Sequence, residues 1–303
     1  MSEAPARRLL VVHAHPDDET IGTGATMASY ADRGVGVTLV TCTAGEMGEI
    51  LVPEWSHKAA DQDDSLGEHR KEELAAAMKI LGVTDHRFLG GFGTYRDSGM
   101  AWHEDGHAIP GDVIHDNAFW KADLNEAADH LVRVIRELRP QVLVTYDQFG
   151  GYGHPDHIQA HRVATYAAAL AAVPSYKHDL GEPHEIAKVY WSAMSEGRMR
   201  ESLRAIRATG DTETFEGMDP DGDLGPFVTP DDQLTARIDG SAVIDRKMEA
   251  LAAHKSQVEQ DGFFFSGAES GHAFWAEEFF RLAKGTPGEV GEDGLESDLF
   301  AGT

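Results

Sequence analysis

Four short segments limit the chain to one class of fold. Residues 9–12 (LLVV), 35–43 (VGVTLVTCT), 142–147 (VLVTYD) and 187–194 (AKVYWSAM) are near-continuous in apolar residues. A strand written this way has to be covered on both faces, as in a parallel sheet. Helical patterns separate these segments. Residues 20–33 carry Ile21, Ala25, Ala28 and Ala31 at helical spacing, with Gly34 as a stop. Residues 66–81 put Leu74, Met78 and Leu81 on one face and end at Gly82, and residues 87–89 form a short strand. Residues 123–138 are amphipathic and halt before Pro140, while residues 157–173 are Ala-rich. Such alternation predicts an α/β fold: a doubly wound, mostly parallel Rossmann-like sheet with a smaller C-terminal α+β portion. We divide the chain into residues 1–173, a Rossmann-like domain, and residues 174–303, a C-terminal portion.

The first strand ends abruptly in HAHPDDE, residues 13–19. In open parallel sheets ligands bind beyond the carboxyl ends of strands, where the chain order reverses. A dinucleotide-binding fold would place a Gly-rich turn there. The glycines of GTGAT, residues 22–26, instead fall inside the following helix and lack the full spacing. Several carboxylates and imidazoles at one strand end are costly to bury unpaired, and a divalent cation resolves the cost. His15 and Asp18, three apart across a turn that Pro16 restricts, can converge on such an ion. The strand at 142–147 is followed by His154-Pro155-Asp156-His157, the same pattern. In the strand order 3-2-1-4 the two clusters face each other across the switch point. His15, Asp18 and one histidine of the second cluster make a three-ligand site with an open position; spacing alone does not choose between His154 and His157. Asp17 is then free to act as general base for water at the metal. His13 is read as a hydrogen-bonding residue, and His161 as a neighbour of His157 rather than a ligand.

With both clusters in view, the chain resembles the LmbE-like, or PIG-L-like, N-acetylglucosamine deacetylase family. The signature residues are AHPDDE (14–19) and GHPDH (153–157), with TCTAGEMGEI, GEHRKEEL and YRDSGM as further matching stretches. The similarity runs over residues 9–172 and resumes at 250–257 and 296–301. Within the family it looks like the actinobacterial deacetylases of mycothiol biosynthesis, which act on N-acetylglucosaminyl-inositol. The mycothiol-conjugate amidases share both clusters but tend to have YPHPDH where this chain has YGHPDH. The resemblance implies one Zn2+ per subunit, held by His15, Asp18 and His157, with Fe2+ able to occupy the same ligands. It implies Asp17 as general base, Tyr152 and His154 near the reacting carbonyl, and Asp156 orienting His154. Glu49, Arg70 and Asp97 align with residues that contact sugar or inositol.

The remaining features narrow the partners. With 26 basic and 52 acidic residues the formal net charge is −26, a field that repels phosphate backbones and argues against nucleic acid as a ligand. No stretch reaches the length of a membrane span, and the N-terminus lacks a secretory pattern. A lone cysteine, Cys42, expected to be buried, fits a reducing cytoplasmic setting. The partner that the resemblance implies is a small amino-sugar inositol, and no protein partner is evident. Residues 90–120 read as a long polar loop, residues 210–232 have turn and linker composition, residues 242–257 are expected to form a helix, the acidic tail from residue 285 is expected to be weakly structured, and Phe263, Phe264 and Phe265 are read as core or lid packing.

Overall fold

Alternate side chains of the first strand enter two different cores, which explains its unbroken apolar run. The computed structural model describes residues 6–212, 218–260, 264–265 and 274–303. Strand β1 (Arg8–His13) sends Leu9 and Val11 into a cluster with Met27, Leu74, Met78 and Ala250. Leu10 and Val12 enter a second cluster on the other face, with Leu131, Ile135, Val163 and Ala167. Each such side chain contributes roughly 1.5–3 kcal/mol by burial, so Leu10→Ala would cost about 2–5 kcal/mol.

The chain continues through α1 (Asp18–Asp32), β2 (Gly36–Thr41), α2 (Leu66–Leu81) and β3 (Asp85–Phe88). A short hairpin, β4 (Ala101–Trp102) and β5 (Ala108–Ile109), interrupts the long loop after β3. Then come α3 (Leu124–Leu138), β6 (Val142–Thr145), the single turn α4 (Gly150–Gly153), α5 (Pro155–Ala171) and β7 (Lys188–Ala193). The last elements are α6 (Glu196–Ala208), β8 (Ala236–Asp239), α7 (Ile244–Ala253) and β9 (Glu277–Lys284). Helix α3 starts where Asp123 accepts the amides of Asn125 and Glu126, and α2 ends at Gly82 in the left-handed region.

Seven strands form one sheet in the order β3-β2-β1-β6-β7-β9-β8. The five from β3 to β7 are parallel, and β9 and β8 add antiparallel at one edge. The expected α/β class is therefore found. Its switch point lies between β1 and β6, where the chain, having built β2 and β3 on one side, crosses to the other. Among the described residues no helix is long and apolar enough to cross a membrane. Cys42 is buried and free.

Three expectations differ from what is found. The loop of residues 90–120 contains the β4–β5 hairpin, whose two-residue strands are too short to leave a periodic signal. Helix α7 is shorter than the 242–257 segment read as helical, because the chain turns at His254. The acidic tail is anchored rather than loose: Lys188 Nζ and Tyr190 Oη donate to the buried Glu296 at 2.5 and 2.7 Å, and Leu299 and Phe300 enter the core. Composition alone hid this, since two apolar residues and one paired carboxylate carry the attachment. Of the three phenylalanines, Phe263 lies outside the described residues, while Phe264 packs on Trp275 with ring centroids 5.0 Å apart.

Candidate metal centre and active site

Adjacent parallel strands bring the two clusters together. Leu9, Leu10 and Val11 of β1 are in register with Val142, Leu143 and Val144 of β6. Each strand then feeds a helix, α1 or α5, whose positive N-terminal end faces the gap. One ring nitrogen from each of His15, His154 and His157 lies within 4.8 Å of the others, and all three residues are buried.

Hydrogen bonds fix which nitrogen of each ring is free. His15 Nε2 faces Asp156 Oδ2 at 3.2 Å. That carboxylate also accepts the Ser98 amide at 2.8 Å and the Ser98 hydroxyl. A proton on His15 Nε2 leaves the Nδ1 lone pair facing Asp18 Oδ2, 3.2 Å away. His157 Nδ1 donates to the Gly150 carbonyl at 3.1 Å, which leaves its Nε2 lone pair free. That nitrogen is buried, stands 3.3 Å from Asp18 Oδ2 and has no hydrogen-bond partner. His154 is the reverse case: it is the N-cap of α5, and its Nδ1 accepts the Asp156 amide at 3.1 Å. Its lone pair is consumed, so the neutral ring offers an N–H at Nε2. Burial, with the neighbouring His15 and His157, pushes the His154 pKa down to about 2 and keeps the ring neutral.

A carboxylate oxygen between two imidazole lone pairs is repulsive unless a cation lies among them. The spacings suit one. A four-coordinate ion with bonds of about 2.0–2.1 Å holds its ligand atoms roughly 3.3 Å apart, and the two nitrogen–oxygen separations are 3.2 and 3.3 Å. Burial opposes charge on His15, but Asp97, Asp156 and Asp18 together raise its pKa well above 6.5, so the surroundings of this ring favour positive charge. The residues present therefore fit a divalent metal.

Asp17 precedes α1 at φ +114°, a region costly for any residue with a Cβ, and its side chain makes no capping bond. Arg70 Nη2 donates to Asp17 Oδ2 at 3.0 Å, while the same guanidinium binds the carbonyls of Gly45 and Pro16. A Cβ on Gly45 would come within 2.0 Å of that guanidinium, and its φ of +67° also calls for glycine. Burial pushes the Asp17 carboxyl up to about 6, with Arg70 opposing and Asp18 adding to the rise.

The other expected residues fall at different depths. Arg70 is buried behind Asp17 with its Nη1 and Nη2 donors turned to protein acceptors. Asp97 is buried too, with Oδ1 3.6 Å from His15 Nε2 and Oδ2 accepting the Met47 amide at 3.1 Å. Glu49 has an exposed side chain, and its carbonyl accepts Gln257 Nε2 at 3.0 Å. Asp156 orients His154 through its main-chain amide, whereas its carboxylate turns to His15. Tyr152 stands edge-on to His157, with ring centroids 5.1 Å apart. His13 bonds Thr23 Oγ1, and His161 turns to the Tyr146 carbonyl.

Sequence reading missed Tyr146, Ser98, Trp102 and Phe227. The Tyr146 ring stacks on His157 at 4.2 Å, and its hydroxyl accepts the Ala14 amide at 2.9 Å. It ends the strand that leads into the second cluster, a position that could have drawn notice. Ser98 lies in the YRDSGM stretch already singled out. Trp102 and Phe227 flank Tyr152 at 6.0 and 5.8 Å, forming an aromatic wall drawn from three distant segments with no sequence signal. Beside the centre a cavity of about 200 Å3 is lined by Asp18, Tyr152 and His157 from one half of the chain, and by Met194, Arg198 and Phe227 from the other.

Residues 10–168 match the family model described as GlcNAc-PI de-N-acetylase (PIG-L). A curated protein of Nocardioides sp. is 71% identical over 98% of both chains, and one of Kribbella flavida is 62% identical over the full length of both. Both carry the name 1D-myo-inositol 2-acetamido-2-deoxy-alpha-D-glucopyranoside deacetylase. Among solved structures, N,N'-diacetylchitobiose deacetylase from Pyrococcus horikoshii shares the fold, with a TM-score of 0.61 and 18% identity over 93% of this chain and 84% of that one.

Proposed function

Since the chain belongs to the GlcNAc-PI de-N-acetylase (PIG-L) family, we propose that it hydrolyses the acetamide of 1D-myo-inositol 2-acetamido-2-deoxy-α-D-glucopyranoside, giving acetate and glucosaminyl-inositol for mycothiol biosynthesis. The observation that carries the chemistry is the Asp18 carboxylate set between the free lone pairs of His15 and His157, beside a buried Asp17. The names carried by the relatives at 71% and 62% identity support the substrate.

His15, Asp18 and His157 would hold one divalent ion, which we assign as Zn2+, with Fe2+ able to use the same ligands. When bound, the ion supplies Lewis acidity and lowers the pKa of water at the centre. Asp17 takes the proton of the attacking water as the new C–O bond forms at the acetamide carbon. His154 Nε2–H and the Tyr152 hydroxyl donate to the oxygen that gains charge, and such donors contribute about 2.7–4 kcal/mol each in comparable sites. Asp17 then returns the proton to nitrogen as the C–N bond breaks. Arg70 holds Asp17 in its strained pose, and Asp97 and Asp156 support His15. Tyr152, Trp102 and Phe227 offer an apolar wall for the sugar face. In this reading residues 1–173 carry the chemistry, residues 174–303 complete the pocket, and the reaction takes place in the cytoplasm. Glu49 at the rim is left to contact the distal part of the substrate.

Gly153 favours this substrate over a mycothiol conjugate. Its φ is +96°, and a Cβ there would lie 2.5 Å from the Ala108 carbonyl. Proline, fixed near −65°, does not fit, so this loop cannot take the YPHPDH form of the conjugate amidases. The test compares turnover of the inositol glycoside with that of a mycothiol S-conjugate. Faster release of acetate from the glycoside is expected, and preference for the conjugate would overturn the assignment.

A further inference from the structure

The β4–β5 hairpin carries a second concentration of ligand chemistry that the deacetylation does not use. Beyond the paired residues Trp102 and Ala108, the His103 amide donates to the His107 carbonyl at 2.9 Å, and the Gly106 amide donates to the His103 carbonyl at 3.0 Å. This turn sets His103 and His107 directly across from each other, so their side chains leave the same face. Their rings stack with centroids 4.7 Å apart and planes 27° from parallel. Asp105, in the turn, brings Oδ2 to 3.2 Å from His103 Nδ1. One ligand atom from each of the three residues lies within 4.8 Å of the other two.

The spacing of these three side chains suits a cation, although the hydrogen bonding differs from that at the first centre. His103 Nδ1 accepts the Asp105 amide at 3.2 Å, as His154 Nδ1 accepts the Asp156 amide, but this turn is open to solvent, so water can take over the amide and release the lone pair for an ion. A carboxylate oxygen then faces that lone pair, and a second imidazole lies against the first. Surface exposure softens the repulsion, but a shared positive ion removes it and bonds all three residues. Two imidazoles and one carboxylate select borderline first-row ions such as Zn2+, Ni2+ and Cu2+ over Mg2+ and Ca2+, which prefer all-oxygen sites.

We propose that His103, Asp105 and His107 form a second transition-metal site, separate from the His15, Asp18 and His157 centre and completed by water. The site sits where it can act on the catalytic loop. Trp102, adjacent to His103, stacks on Tyr152 at 6.0 Å, and His107 lies 5.9 Å from the Phe149 ring. Ala108 packs its carbonyl against Gly153. An ion that ties His103 to His107 clamps the hairpin at its turn and steadies Trp102 against Tyr152.

The test uses the untagged full chain with its first centre loaded, titrated with Ni2+ by equilibrium dialysis at neutral pH. Wild type should bind one ion beyond the first. The double variant His103→Ala/His107→Ala should lose at least tenfold in affinity for that ion, and Asp105→Ala should lose less, with the first ion retained in both. A second readout is tryptophan emission under Cu2+: quenching should accompany the second ion and fall sharply in Trp102→Phe. The proposal is overturned by any of three results: wild type binds no further ion up to millimolar Ni2+, the double variant binds it as tightly as wild type, or the double variant loses the first ion as well. Quenching undiminished in Trp102→Phe would overturn the link to the catalytic loop.

Discussion

The chain writes His-Pro-Asp twice, at residues 15–17 and 154–156, and the two copies do different work. Both follow a parallel strand and lead into a helix. In the second copy the helix begins at once: His154 is the N-cap, Pro155 opens the first turn, and the His154 lone pair is spent on the Asp156 amide. In the first copy the N-cap falls two residues later, at Asp17. His15 stays outside α1, its Nε2 is taken by Asp156, and its Nδ1 remains free. Asp17 is left at φ +114° with its carboxylate uncapped. The register of the helix start relative to the motif decides which imidazole can hold a metal and which can only donate a proton. A shared tripeptide is thus not a shared role, and residue type alone does not separate His15 from His154.

The sharpest way to break this comparison is to exchange the roles. His157→Ala removes a free lone pair and should cost the chain its bound metal and its activity. His154→Ala should keep the metal at full stoichiometry while kcat falls about 10²–10³-fold, the loss expected for one oxyanion donor. Metal analysis of the two purified variants decides between them: loss of metal from His154→Ala would refute the assignment by lone pairs. Asp17→Asn keeps the shape of the uncapped side chain but removes the base. It should bind metal normally and lose about 10²–10⁴ in kcat; a variant with full turnover would remove Asp17 from the reaction.

A smaller effect tests the support behind His15. Ser98 holds both oxygens of Asp156, which in turn holds His15. Ser98→Ala should loosen that carboxylate and weaken metal affinity about 10–100-fold, as outer partners of metal-binding histidines commonly do. Competition with a chelator measures this. Affinity equal to wild type would mean that the Ser98 amide alone suffices.

The legible part of the site was the part written locally. Periodicity gave the parallel strands, and topology then required the ends of β1 and β6 to meet, so the convergence of His15, Asp18 and the second cluster could be expected from spacing. The choice between His154 and His157 could not, because it depends on where α5 starts and on the Gly150 carbonyl, which are facts of backbone geometry. Arg70 was expected to contact the substrate; only the approach of the Gly45 loop shows it buried against Asp17. Trp102 and Phe227 were invisible for a related reason: they reach Tyr152 from a two-residue strand and an irregular segment. The C-terminal strands β8 and β9 escaped notice because they are antiparallel and only partly buried, with polar residues among the apolar ones.

The last prediction concerns Glu19, the residue after the two aspartates, which has no counterpart of its type in the second cluster. It is fully buried, accepts the Asp17 amide at 2.9 Å and pairs with His254 Nε2 at 3.1 Å. Burial opposes charge on both partners, yet their attraction raises the His254 pKa above 6.5 and lowers that of Glu19 below 4.5. The signs set a window. A raised histidine contributes stability that is full below its unfolded pKa and is lost as pH rises through its folded value; a lowered carboxylate contributes above its unfolded pKa and is lost as pH falls through its folded value. The pair therefore stabilises most between the two ordinary values, 4.5 and 6.5. His254→Gln can keep a hydrogen bond to Glu19 but not the charge. Its melting temperature should fall furthest below wild type near pH 6, and the gap should narrow by about 2–4 °C for each kcal/mol of ion-pair energy lost as pH rises toward 9. A gap independent of pH would mean that His254 is neutral in the folded protein and that Glu19 holds Asp17 in its strained pose without a charged partner.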